Sequence, residues 1–305
     1  MQSAKEICRG KWHSILPQCG VSPKYLTGKQ VACPACDGKT RFRFDDQEGR
    51  GTFYCNKCGA GDGFMLISLV NGIPNREAVK SAVQLAGEAE FRKPRQLMDQ
   101  EEAHRKMREV WRMSQPITAS DDVGLYLANR GIAVPSCDSL RYVPALPIHG
   151  EAVEAYPAMV ARVRDKDGAS CNVHRTYLLY GSKAPIPNPR KLMATGNGPK
   201  AEGCHIELAE AAQVMGIAEG IETALMASQL FKMPVWSAIS TAHLEQFSPP
   251  SICRELHIFG DADHKYGGQK SAYALAYRLA TSANPIAVEV RIPDILGTDW
   301  ADITT

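Results

Sequence analysis

The spacing of hydrophobic and polar positions changes along this chain, and each change marks a region. Residues 3–16 read as one short helix. Arg41, Phe42, Arg43 and Phe44 then alternate as a strand does, which turns the phenylalanines inward and the arginines outward. Gly49 and Gly51 mark a hairpin turn, and Thr52-Phe53-Tyr54 returns as a second strand. The glycines of 59–63 break the pattern. An apolar helix is expected to start over Phe64 to Val70, and a second helix over about 75–87. Residues 88–100 are charged and carry Pro94, so they read as a linker.

Helical periods return over 100–114 and 121–130. From Leu140 the period shortens to two. Met159 to Arg164 alternates, Lys166-Asp167-Gly168 forms a turn, and Cys171 to Leu179 alternates again, which together predict a hairpin. Residues 181–200 are rich in Gly, Pro, Lys and Arg. From Val214 strands and helices take turns: strand 214–218, helix 221–231, strand 235–239, helix 241–247, strand 256–259, helix 269–283 and strand 286–292. That rhythm predicts a parallel sheet, so the fold class is α/β.

Length and composition narrow the picture. At 305 residues two or three domains are expected, and 44% hydrophobic content supports a folded core. No apolar run reaches membrane-span length, and residues 1–11 lack a signal-peptide pattern, so the expected location is the cytoplasm, with no membrane partner. The net charge of +2 hides an asymmetry. Residues 1–200 hold 29 Lys and Arg against 20 Asp and Glu, whereas 201–305 hold 6 against 13. A basic front and an acidic back suggest a part that binds polyanions joined to a part that binds cations.

Two sets of side chains carry the candidate chemistry. Cys33, Cys36, Cys55 and Cys58 are spaced as C-x2-C, eighteen residues, C-x2-C. Two such turns close a tetrahedron of thiolates around a structural Zn2+ with no open position. The six other cysteines are scattered and read as small buried side chains. The second set is acidic. Glu219 follows one expected strand directly, and Asp261 and Asp263 follow another after Gly260. Working residues of open parallel sheets sit beyond the carboxyl ends of strands, so the three carboxylates can converge there. Converging carboxylates repel unless a cation neutralises them, and oxygen ligands of this kind suit Mg2+ or Mn2+. His257 is expected to pack inside its strand. Gly267-Gly268-Gln269-Lys270-Ser271 is not a Walker A loop, because Gln269 stands where a glycine is required.

The stretches Ala218-Glu219-Gly220-Ile221-Glu222-Thr223-Ala224-Leu225 and Ile258-Phe259-Gly260-Asp261-Ala262-Asp263 resemble the Toprim domain of DnaG-type primases, topoisomerases and some nucleases. Combined with the cysteine ribbon, they resemble primases of phages, plasmids and integrated elements, including the satellite-phage type fused to a helicase. The resemblance implies a zinc-ribbon DNA-binding domain over 1–88, a linker and helix over 89–115, a basic subdomain over 116–213 and a Toprim domain over 214–305. It implies Glu219, Asp261 and Asp263 as catalytic Mg2+ or Mn2+ ligands. Asp299 and Asp302 fit its further acidic motif, and a solvated turn is the alternative. Glu222 either supports the metal or answers the helix dipole.

A basic strip lies ahead of the Toprim-like region. Residues 158–200 carry Arg162, Arg164, Lys166, Arg175, Lys183, Arg190, Lys191 and Lys200 against Asp165 and Asp167. With Arg41 and Arg43 of the ribbon, Arg162, Arg164, Arg175, Lys183 and Lys191 are expected to hold template and nucleotide phosphates. The expected function is a DNA primase that makes short RNA primers on single-stranded DNA from nucleoside triphosphates, for replication of a phage, plasmid or mobile element. Its helicase would be a separate polypeptide or part of a longer chain. The alternatives are a Toprim nuclease and a non-catalytic single-strand-binding or recruitment module.

Overall fold

The computed structural model describes residues 3–91, 99–148, 154–196 and 201–303. Most of the expected linker, with Pro94, and Lys200 lie outside them. The chain forms two compact units, Met1–Leu97 and Met98–Thr305.

The first unit opens with two helices rather than one, α1 (Ala4–Cys8) and α2 (Trp12–Gln18). Gly10 between them takes φ 75°, a left-handed turn that ends one helix before the next begins. The ribbon strands β1 (Phe42–Phe44), β2 (Phe53–Cys55) and β3 (Gly59–Gly61) pair antiparallel in that order. The third strand falls where the sequence pattern predicted only a break, since Gly-Ala-Gly has too little side chain to show alternation. The inward phenylalanines are as expected. Phe42, Phe44 and Phe53 are buried, and the Phe42 and Phe53 rings stack at 5.6 Å. Trp12 meets Phe64 edge-on at 4.8 Å and ties α2 to α3 (Gly63–Asn71). Helix α4 (Asn75–Ala86) packs small side chains, Ala78, Ala82 and Ala86, one turn apart.

In the second unit, α5 (Gln100–Met113) and α6 (Asp122–Ala128) precede an antiparallel sheet. Its strands β4 (Leu140–Pro147), β5 (Ala155–Arg164), β6 (Ser170–Leu179) and β7 (Ser182–Lys183) lie in that order, and β8 (Arg190–Leu192) also pairs with β6. The hairpin 159–179 is as expected. The short strands β7 and β8 are not, because two or three residues between prolines and glycines carry no readable period. Alternation gives this sheet two working faces. Ala158, Val160, Val173 and Tyr177 pack under Ala103 and Met107 of α5. Met159, Ala161, Val163 and Leu178 pack against Tyr126 and Leu127 of α6 and Ala218 and Ile221 of the region that follows.

That region is the expected parallel sheet: β9 (Val214–Ala218), α7 (Ile221–Phe231), β10 (Val235–Ser237), α8 (Thr241–Gln246), β11 (Glu255–Phe259), α9 (Gly267–Ala280) and β12 (Ala287–Arg291). The strand order is β10–β9–β11–β12, all parallel. The strand predicted over 235–239 ends two residues early. Ile239 takes φ 70°, unusual for a β-branched residue, and its amide donates to the Glu219 carbonyl at 2.8 Å. His257 is buried within β11, as expected.

Candidate active site

The four ribbon cysteines come together at the ends of β2 and the loop before β1. Cys33 and Cys58 are 3.8 Å apart at sulfur, as are Cys36 and Cys55. All four ligand atoms lie within 4.8 Å of one another, which fits a tetrahedral structural zinc site. Burial raises the Cys55 thiol, but the amides of Cys58 and Lys57 and the neighbouring thiols outweigh it and bring it down to about 7. A thiol so placed gives up its proton readily to a metal.

The acidic residues meet at the carboxyl end of the parallel sheet. Ala218 of β9 stands beside Phe259 of β11, so Glu219 and Asp261 leave neighbouring strands at nearly the same level. The turn that follows Asp263 is tight. A Cβ on Gly268 would fall 2.7 to 2.9 Å from Asp261, and the Gly268 amide donates to Asp263 Oδ2 at 2.8 Å. The Gly267-Gly268 pair thus lets α9 start against the aspartates. Trp300 anchors the C-terminal turn against the rings of Phe231 and Phe259, and Asp299 accepts from the Ala301 amide at 2.6 Å. This brings Asp299 into electrostatic reach of Asp261.

Asp261 shows the strain of this gathering. Burial pushes its carboxyl up to about 7, with the charges of Asp299, Glu219 and Asp263 adding and Arg190 opposing. Its Oδ1 is buried without a hydrogen-bond partner. Glu219 is raised too, by burial and then by Asp263, against Arg190 and the Thr241 amide. Asp299 is raised by burial and by Asp302 and Glu222. Crowded hard oxygens that each favour a proton, one of them unpaired, fit a divalent cation such as Mg2+. Their oxygens do not draw as close as the cysteines: among the described residues, only the ribbon sulfurs and Glu255, His257 and Glu289 gather three or more ligand atoms within 4.8 Å.

Glu222 points elsewhere. It is buried on α7, where Tyr126 donates to Oε1 at 2.5 Å, and Lys183 and Arg190 approach to 3.8 and 4.0 Å. Burial raises its carboxyl, but these partners outweigh that and hold it below the usual range. Lys183, Arg190, Arg130 and Asp299 share with it a cleft of about 640 Å³. Asp302 also lines the cleft and caps the C-terminal turn, its Oδ2 accepting from the Asp299 amide at 3.1 Å.

The rest of the basic strip divides between faces. Arg190 stands opposite Thr176 and Lys183 opposite Leu178, on the side of Glu222. Arg162 stands opposite Val173, and Lys191 opposite Arg175, on the side of α5. Arg162 lies 4.3 Å over the Trp111 ring, and Arg175 donates to the Tyr177 hydroxyl at 3.1 Å. Arg164 pairs with Glu207 at 2.9 Å. In the ribbon, Arg43 is exposed and paired with Asp45, and Arg41 is half-buried.

Sequence reasoning missed Tyr126 and Arg130, which lie some ninety residues from Glu222 and carry no motif. It also gave no role to His174, buried on the Glu222 side of β6. Burial, with Arg190 and Arg175, lowers that imidazole to about 4 against the pull of Glu222, and Nδ1 has no hydrogen-bond partner.

Residues 28–64 match a family described as the zinc-binding domain of primase-helicase, and residues 214–305 match the Toprim domain. Residues 101–202 match a domain of unknown function. The chain is similar to the zinc-binding and RNA polymerase domains of the Aquifex aeolicus primase, at 17% identity and TM-score 0.43, over 99% of this chain and 82% of that one. It is similar to the primase fragment of the bacteriophage T7 primase-helicase, at 15% identity and TM-score 0.40, over 90% and 92%. It is also similar to the E. coli primase catalytic core, at 12% identity and TM-score 0.41, over 65% and 74%.

Proposed function

Because this chain is of the Toprim primase type with an N-terminal zinc ribbon, we propose that it is an active DNA primase, a nucleotidyltransferase that builds short RNA primers on single-stranded DNA. The observation that carries the reading is Asp261: a carboxylate held unpaired among Glu219, Asp263 and Asp299, beside a cleft lined by cations. Glu219, Asp261, Asp263 and Asp299 would hold Mg2+ or Mn2+. A divalent cation bound there supplies Lewis-acid neutralisation of charge on the transferring phosphoryl group.

The chain's own residues do the positioning. Lys183, Arg190 and Arg130 present cations on one wall of the cleft, suited to the triphosphate of an incoming nucleotide. Glu222, fixed by the Tyr126 hydroxyl, would hold Lys183 and Arg190 along that wall. Asp299 and Asp302 stiffen the turn that closes the cleft. Arg41 and Arg43 would hold template phosphates at the ribbon. The ribbon family's description supports a replicative helicase as partner, in trans or within a longer chain, and we assign the setting to replication of a phage, plasmid or mobile element.

The test is template-directed synthesis from single-stranded DNA and labelled ribonucleotides with Mg2+ or Mn2+. Short products are expected, and Asp261→Ala should reduce them about a hundredfold or more, the size of effect seen when one charge-stabilising group is lost. Template cleavage without synthesis would replace the primase reading with a nuclease.

A further inference from the structure

The face of the antiparallel sheet turned away from the acids carries a second cationic groove. It lies between α5 and strands β5 and β6 and encloses about 370 Å³. His104, Arg108, Trp111 and Arg112 line it from α5, at the i, i+4, i+7 and i+8 positions of one helical stripe. Arg162 lines it from β5, and no carboxylate contributes to its wall.

Pairing on α5 is selective. Arg105 and Lys106, which do not line the groove, pair with Glu109 and Glu102 at 3.9 and 2.8 Å. Among the described residues, Arg108, Arg112 and Arg162 have no such partner. Arg162 is held below the usual arginine range by burial and by Arg164 and Arg141, against Asp138 and Glu207. Arg175 and Lys191 share this side of the sheet, and Lys191 is lowered by burial and by Arg175. Cations gathered on a wall that no carboxylate lines attract an anion.

The groove also offers flat surfaces. The Arg162 guanidinium lies over the Trp111 indole at 4.3 Å, with Arg141 at 5.8 Å from the same ring, and guanidinium and indole planes are surfaces on which a nucleobase stacks. Arg108 and Arg112 are exposed and one turn apart, a rise of about 6 Å along the helix, on the scale of successive phosphates in an extended strand. An acidic peptide would use the cations and leave the platform idle.

We propose that this face is a second binding site for single-stranded nucleic acid, in which Arg108, Arg112 and Arg162 contact phosphates and the Trp111–Arg162 stack receives a base. It goes beyond the primase reading, because the site lies across the sheet from the metal-binding acids and makes no use of them.

The experiment measures anisotropy of a fluorescein-labelled oligothymidylate with the full chain across a salt series, without nucleotide or added divalent cation. Photocrosslinking to an iodouridine-substituted strand runs in parallel. Arg108→Ala with Arg112→Ala, both exposed, should weaken binding about tenfold and lower the salt slope by roughly 1.4, about 0.7 for each lost phosphate contact. Trp111→Phe should keep most of the affinity, while Trp111→Ala should lose roughly tenfold, as when one stacked base is released. Crosslinks should map to the Trp111 peptide. Unchanged affinity and slope in the double variant, or crosslinks confined to the ribbon and the acidic cleft, would overturn the proposal. So would tighter binding of an oligoglutamate competed from the same residues. The primase reading fails separately: a chain that makes no primers yet loses strand binding in the double variant keeps the groove and loses the polymerase. A chain that makes primers with unaffected binding does the reverse.

Discussion

The two metal-type sites of this chain are built on opposite terms. In the ribbon, four soft sulfurs already stand within 4.8 Å of one another, on three-residue strands whose phenylalanines share a core with the helices of the first unit. At the parallel sheet, hard oxygens stand at strand ends that a large core fixes regardless of metal, and there they repel. The ribbon would therefore gain folding free energy from its metal, whereas the acidic residues are positioned by the sheet itself and crowd like charges together. A closed thiolate site is structural, and an open carboxylate site leaves room for substrate.

The comparison can be broken by removing each site. Cys55→Ser should have the largest effect. Structural zinc sites contribute on the order of 10 kcal/mol of folding free energy, so the first unit should unfold while the second keeps its thermal transition, read by calorimetry. At the acidic site the sign reverses. Asp261 has a folded value of about 7, above its ordinary value, so its stabilising contribution is complete at pH below the ordinary carboxylate range and disappears as pH rises through 7. Metal-free protein should therefore lose thermal stability between about pH 4 and pH 7. Asp261→Asn should flatten that slope, and Mg2+ should restore stability at the upper end. A slope unchanged by the substitution would remove Asp261 as its source.

Smaller effects sharpen the picture. Tyr126→Phe deletes a buried hydrogen bond to a charged group and should cost about 2 kcal/mol in urea unfolding of the second unit. The same variant should raise the nucleotide KM more than it lowers kcat, since Glu222 would then hold Lys183 and Arg190 less firmly. Arg43→Ala removes an exposed pair with Asp45 and should change stability by less than about 1 kcal/mol, while weakening binding of single-stranded DNA.

Much of this was legible in the sequence, for physical reasons. Fixed cysteine spacing encodes a tetrahedron, so the ribbon could be read before any contact was known. Alternation of strands and helices encodes a parallel sheet, and the strand-end rule then picks out Glu219 and Asp261. What escaped was short or distant. β3 has almost no side chains, β7 and β8 are too brief for a period, and Ile239 adopts a backbone conformation its residue type disfavours. The partners of Glu222 come from α6 and from β7 and β8, and no spacing announces them. Alternation did put Arg162 on one face of its strand. Only the packing of α5 reveals that this face is turned away from the acids.

The most direct test counts metals. Zinc by elemental analysis and Mn2+ by electron paramagnetic resonance would be measured on wild type, Cys55→Ser and Asp261→Ala, together with primer synthesis. The account predicts that Cys55→Ser loses zinc and keeps Mn2+, and that Asp261→Ala keeps zinc and loses both Mn2+ and synthesis. An Asp261→Ala protein that still binds Mn2+ and still makes primers would contradict it.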